Sequence, residues 1–144
     1  LRFEFKLQPG TNNGLGVRTP LKGDAAYAGM ELQILDNTAE KYSNLKDRQY
    51  HGSIYGIVPA KRGCLKPVGQ WNYEEVIANK NHITVNLNGT TIVDADIKDA
   101  SENGTKTLSD KEHPGLFNKA GHIGFLGHGD YIEFRNIRIR EILH

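Results

Sequence analysis

The sequence predicts an all-β protein, a two-sheet antiparallel sandwich of jelly-roll type. Three observations predict it. Apolar and polar residues alternate with period two in many short runs, as half-buried strands require. Turn residues punctuate those runs, with 16 Gly and 5 Pro among 144 residues. No stretch sustains the 3.6-residue period of a crossover helix, so the strands belong in a sandwich or barrel and not in a wound parallel sheet. The length fits one domain, residues 1–144, whose two sheets share a core.

The elements follow in order. Leu1, Phe3, Phe5 and Leu7 face one way while Arg2, Glu4 and Lys6 face the other. Because this run opens already inside a strand pattern, the expectation is that a leader and further residues lie upstream in the full-length protein. Pro9-Gly10 and Asn12-Asn13-Gly14 turn the chain into a second strand over 14–18, with Leu15 and Val17 inward. Met30–Leu35, Ser53–Val58, Trp71–Asn79 and His82–Leu87 are the next four strands. Asn88-Gly89 is the strongest hairpin turn, since both centres of a type I′ turn need positive φ, and Thr90–Val93 returns from it. His122–Leu126 and Tyr131–Ile142 form the last pair. Within that last strand the apolar parity slips from Ile132 and Phe134 to Ile137 and Ile139, which predicts a β-bulge near Arg135-Asn136. Residues 39–49 hold a short helical turn, and 95–118 form a long polar loop of the kind that often carries function. Trp71, the sole tryptophan, is expected to be buried in the sandwich.

Composition excludes several classes. The net charge is +1 with no basic stripe, so the electrostatic footprint of a nucleic-acid binder is missing. No apolar run is long enough to span a bilayer. Cys64 is alone, which rules out an intrachain disulfide and a cysteine metal cluster, and it reads as an incidental loop thiol. His113, His122 and His128 match no compact ligand motif. Asp94, Asp96 and Asp99 lack the Gly and terminal Glu of a calcium-binding EF-hand loop. The sequence therefore calls for no cofactor and no catalytic metal, and leaves a structural calcium ion open.

The most informative stretch is Gly29-Met30-Glu31-Leu32-Gln33-Ile34-Leu35-Asp36-Asn37. Glu31 and Gln33 share one strand face, and Met30, Leu32 and Ile34 the other. A bulge at Ile34-Leu35 would return Asp36 to the Glu31 face, since one extra residue flips parity. That row of Glu, Gln and Asp would hold two carboxylates close enough to perturb each other. The alternative is an ordinary solvated polar face. His51, at a loop-to-strand junction, suits acid/base work because it titrates near neutrality; a structural His bonding a carbonyl fits equally. Tyr55 is a candidate to stack on or donate to a ligand, or packs at the core edge. Arg18 ends a Gly-x-Gly strand where a ligand can approach closely. The corner Gly121–Gly129 would put His128 at a cleft rim.

The strand resembles the Glu-x-Asp-x-x-Glu catalytic strand of laminarinase-type retaining β-glucanases, with Gln33 in place of the central Asp and Asp36 in place of the final Glu. A closer resemblance covers nearly the whole chain. Residues 13–18 (NGLGVR), 30–36 (MELQILD), 51–55 (HGSIY), 66–72 (KPVGQWN), 87–89 (LNG), 121–125 (GHIGF) and 134–139 (FRNIRI) occur in an order similar to the 3-keto-glycoside lyase/hydrolase family. That resemblance implies a concanavalin A-like, laminarinase-like sandwich and an exported, periplasmic or cell-surface protein, often lipid-anchored through an upstream segment. It also implies a distinct chemistry. A ketone at C3 of a glucosyl unit acidifies the C2 proton, so a base can remove it and expel the C1 substituent, with water adding afterwards. On that resemblance Glu31 and His51 would be the acid/base pair and Asp36 would orient one of them. Arg18 or Lys66 would stabilise the enolate oxygen, while Gln33, Tyr55 and His128 would bind substrate. The competing readings are a non-catalytic carbohydrate-binding jelly roll and a scaffold domain. The scarcity of free aromatics weighs against the first, and the polar face against the second.

Overall fold

The computed structural model describes residues 1–101 and 111–143. Among them, eight strands run as β1 (Arg2–Leu7), β2 (Asn12–Thr19), β3 (Met30–Leu35), β4 (Trp71–Asn79), β5 (His82–Leu87), β6 (Thr90–Asp96), β7 (His122–Gly127) and β8 (Ile132–Arg138). They form a five-stranded sheet of order β6-β5-β4-β1-β8 and a three-stranded sheet of order β3-β2-β7. All pairings are antiparallel. The all-β, two-sheet sandwich expected from the alternation is the fold observed.

The alternation places the core. Phe3, Phe5 and Leu7 of β1 face Leu15 and Val17 of β2 and Met30, Leu32 and Ile34 of β3, with Val76, Ile83, Val85 and Leu87 from the larger sheet. Full burial of each large side chain of this kind contributes roughly 1.5–3 kcal/mol. Two short helices, α1 (Ala25–Ala28) and α2 (Ile97–Ala100), cap strand ends, α1 beginning on the Asp24 side chain. Residues 39–49 contain the helical turns expected there, at Glu40–Tyr42 and Asp47–Gln49. The Asn88-Gly89 turn has φ of 51° and 85°, as a type I′ hairpin demands. Among the described residues, no helix is long and apolar enough to cross a membrane.

The bulge read from the slipped parity of the last strand is present. β1 advances two residues from Arg2 to Glu4 while β8 advances three, from Arg135 to Arg138, and Asn136 takes up the difference at φ 52°. A second bulge lies in β2, where Arg18 adopts φ 55° between Val17 and Thr19. The bulge expected at Ile34-Leu35 is absent. β3 pairs with β2 residue for residue from Asn12↔Leu35 to Val17↔Met30. Ile34 and Leu35 are both apolar because all six residues of β3 are buried, on both faces.

Other expectations need correction. Ser53–Val58 is not a regular strand, because Gly52 and Gly56 have positive φ and the chain turns at Ile54. It still runs beside β3, through Tyr55 N–H to the Glu31 carbonyl (2.9 Å), Gln33 N–H to the Ser53 carbonyl (3.0 Å) and Gly52 N–H to the Gln33 carbonyl (2.7 Å). The last strand ends at Arg138, short of Ile142. The loop expected over 95–118 contains α2; residues 102–110 of it lie outside the described residues. Trp71 is not in the core. It pairs with Lys6, on the outward face of the larger sheet, and the Lys6 ammonium and Arg135 guanidinium lie over its ring at 5.0 and 3.9 Å.

The two sides of the sandwich are unequal. On one side, the segment 50–61 covers the free edge of β3 and reaches β6 through Lys61 N–H to the Ile92 carbonyl, 2.9 Å. On the other, β7 and β8 are edge strands, and the exposed Ile123, Ile139 and Ile142 line a groove of about 980 Å³ with Arg18 and Val76.

Candidate active site

The pairing register decides what lies on the outward face of the three-stranded sheet. Gly14 pairs with Gln33 and Gly16 with Glu31 on one side, and with Leu126 and Gly124 on the other. The intervening residues Leu15, Val17, Met30, Leu32 and Ile34 point into the core. Glu31 and Gln33 thus share the face away from the core, as the alternation of β3 predicts, and the central strand offers glycines between its neighbours' side chains. Side chains fill the space over Gly14 (Glu31) and over Gly16 (Thr19 and Leu126), whereas the space over Gly124 of β7 is open, and there a flat ligand can approach the backbone.

Glu31 is the singular group on this face. It is 6% exposed, and its Oε1 is buried with no hydrogen-bond partner in the protein. Burial, with a smaller contribution from the Asp24 carboxylate, pushes its pKa up to about 7. His128 follows β7 and brings its half-exposed Nε2 to 3.9 Å from the Glu31 carboxyl. Asn12, at the head of β2, holds a second buried acceptor, Oδ1, with no protein partner. Buried polar atoms without partners are rare and need an explanation; hydroxyl-rich ligands supply the donors that two such acceptors require.

The structure brings together Glu31, Gln33 and His128, with Tyr55 bonded through its backbone to Glu31 and its hydroxyl accepting from Gln49 Nε2 at 3.2 Å. It does not bring in Asp36. With no bulge in β3, the Asp36 carboxylate ends the strand as a turn cap, accepting from Gly10 N–H (2.8 Å), Thr38 N–H (2.9 Å) and the Thr38 hydroxyl (2.6 Å). Burial raises its pKa, but these hydrogen bonds and Lys41 outweigh burial and leave it below the ordinary value. A depressed carboxylate stabilises the fold above its unfolded pKa and loses that contribution as pH falls through the folded value. Asp36→Ala is therefore expected to lower stability by about 1–2 kcal/mol at pH 7 and by much less near pH 2, which urea melts at the two pH values check.

His51 is also elsewhere. Its ring lies inside the sandwich, 2% exposed, beside the Phe5 ring, with Nε2 3.0 Å from Glu74 of β4. Its position in a loop before a Gly-Ser pair gave no sign of which way the ring turns. Lys66 is tied to the other sheet, its Nζ donating to the Trp71 carbonyl at 3.0 Å. Arg18, the bulge residue, lines the groove at the open side, and burial lowers its pKa. Among the described residues, no three His, Cys, Asp or Glu side chains gather as metal ligands would. Asp94 bonds His82 and Thr84, and Asp96 caps α2. Sequence reasoning missed Asn12 and Asp24; only the cap position of Asp24 ahead of Ala25-Ala26 was readable.

The fold and site define a two-sheet β-sandwich with one buried carboxyl group over a glycine-floored outer face. The chain belongs to the 3-keto-alpha-glucoside-1,2-lyase-like domain family, whose profile matches residues 1–140. A 3-keto-disaccharide hydrolase of Bacteroides thetaiotaomicron is 30% identical over 129 residues, covering 76% of this chain and 43% of that protein. The chain thus spans less than half the length of that curated relative. A crystal structure of a protein described as a glycosyl hydrolase from Parabacteroides distasonis superposes with a TM-score of 0.79 at 32% identity, over 98% of this chain and 76% of that one. A second from the same organism, at 23% identity and a TM-score of 0.68 over 94% of this chain and 66% of that one, shares the fold.

Proposed function

We propose that this domain cleaves the glycosidic bond of 3-keto-glycosides by proton abstraction at C2 and elimination, followed by hydration. The observation that carries the reading is Glu31, a buried carboxyl group with an unpartnered oxygen and a pKa raised to about 7. A base works best when its pKa lies near the operating pH. Its carboxylate takes the C2 proton, and the C–H electron pair forms an enolate on the C3 oxygen. The enolate re-forms the C3 ketone, the C1–O bond breaks, and a C1=C2 double bond results. The leaving oxygen takes a proton, for which His128, 3.9 Å from Glu31, is the nearest acid on this face. Water adding at C1, with a proton returned to C2, gives the free 3-keto-sugar. Family membership and the name of the B. thetaiotaomicron relative support the substrate class. Incubation with a 3-keto-glucoside and with its unoxidised parent is expected to release product from the keto form alone. Equal release from both would replace elimination with ordinary hydrolysis; sugar binding without release from either would make the domain a binding module.

A further inference from the structure

We propose that Gly14 is a positioning residue: the missing side chain at this point of β2 is what allows Glu31 to lie across the sheet with its carboxyl buried. The inference rests on the reading of Glu31 given above. Glu31 pairs across the sheet with Gly16, so its side chain must slant along β2 to reach Gly14. A Cβ built on Gly14 would overlap Glu31 Oε1 and stand 2.7 Å from Cδ and 2.8 Å from Cγ. Those three atoms are the carboxyl end of the side chain, and contacts that close do not occur between real atoms. The neighbouring glycine differs. A Cβ on Gly16 would meet Thr19 Cγ2 at 3.1 Å and Leu126 methyls at 3.3 and 3.4 Å, and Glu31 is not among its three nearest neighbours.

Backbone conformation does not explain the glycine. Gly14 has no positive φ, so alanine fits its extended backbone. In a strand interior glycine is the weaker choice, by roughly 0.5–1 kcal/mol relative to alanine. With alanine at 14, the Glu31 carboxyl has to leave the position over β2. It then leaves the enclosure that is the main cause of its raised pKa, and its place 3.9 Å from His128.

The test compares wild type with Gly14→Ala by NMR titration of the Glu31 carboxyl carbon, assigned through its loss in Glu31→Gln. The expected result is a wild-type midpoint near 7 and a variant midpoint lower by at least one pH unit, with circular dichroism unchanged. The same midpoint in both folded proteins overturns the proposal. Should Gly14→Ala unfold, it is combined with Glu31→Ala: the double variant is expected to fold as Glu31→Ala does, and a double variant that also unfolds overturns the proposal. Because the titration does not use turnover, a midpoint that moves in a protein inactive on 3-keto-glucosides would leave the positioning role standing and remove the catalytic one.

Discussion

Glu31→Gln is expected to lower turnover of a 3-keto-glucoside by about 10²–10⁴-fold while making the protein more stable in alkaline solution. Both effects come from one geometry. The amide keeps the size of the side chain and cannot accept the C2 proton. In the unfolded chain Glu31 ionises near 4.5, whereas in the fold it holds its proton to about 7. A raised folded pKa favours the fold fully below the unfolded value, and the advantage is lost as pH rises through the folded one. Above pH 7 the wild type must keep a carboxylate buried, and the amide does not. The variant should match wild type near pH 4 and exceed it by roughly 2–3 kcal/mol at pH 8. Urea denaturation at the two pH values measures this. Wild-type turnover should fall on the acid side with a midpoint near 7, where the base takes up its proton. A variant that keeps full turnover, or gains no alkaline stability, would remove Glu31 from the role.

The second large effect belongs to the residue pair inside the sandwich. His51 and Glu74 are 1% and 0% exposed at their side chains and 3.0 Å apart, yet off the line of a good hydrogen bond. The backbone N–H of Leu35 donates to His51 Nδ1 at 3.3 Å, so the network assigns the ring proton to Nε2, toward Glu74. His51 N–H in turn donates to Asn37 Oδ1 at 2.9 Å. The pair thus links β4 of one sheet to the end of β3 in the other. Removing one member of such a pair leaves the other buried without a partner, which costs about 3–5 kcal/mol. Glu74→Ala and His51→Ala are each expected to lose that much in chemical denaturation. Replacing both with apolar side chains of similar volume should recover most of it, because desolvation of the pair is then avoided. Single losses that simply add in the double variant would show that the two side chains do not interact.

Much of the architecture was legible because strand parity carries it. The Asn136 bulge showed in the shift from Phe134 to Ile137, and Asn88-Gly89 named its own hairpin. Glu31 and Gln33 were readable as face-sharing from alternation alone. The same rule failed at Ile34-Leu35, where an apolar pair reflects cover on both faces of β3 and not an inserted residue. The Arg18 bulge left no apolar mark, since β2 ends at Thr19 with no apolar residue after Val17 to show the change of parity. Asp36 and His51 were misplaced because a turn or loop side chain obeys no period. Trp71 was misplaced because cations on neighbouring strands cover a ring that hydrophobicity alone sends inward. The glycines of β2 were noticed as an approach for ligand, but their place under Glu31 depends on a pairing register that no single strand encodes.

The inequality between the two sides of the sandwich gives the site two different mechanical supports. Glu31 stands on a strand paired along both edges, by β2 and by the segment through Tyr55, so its displacement requires opening several buried backbone bonds at once. His128 follows a strand paired along one edge only. Local opening is easiest where buried contacts are fewest. Under the proposed reaction the base would therefore be the fixed point and its partner the adjustable one, with a sugar ring admitted by movement of His128 while the carboxyl assigned to C2 keeps its place.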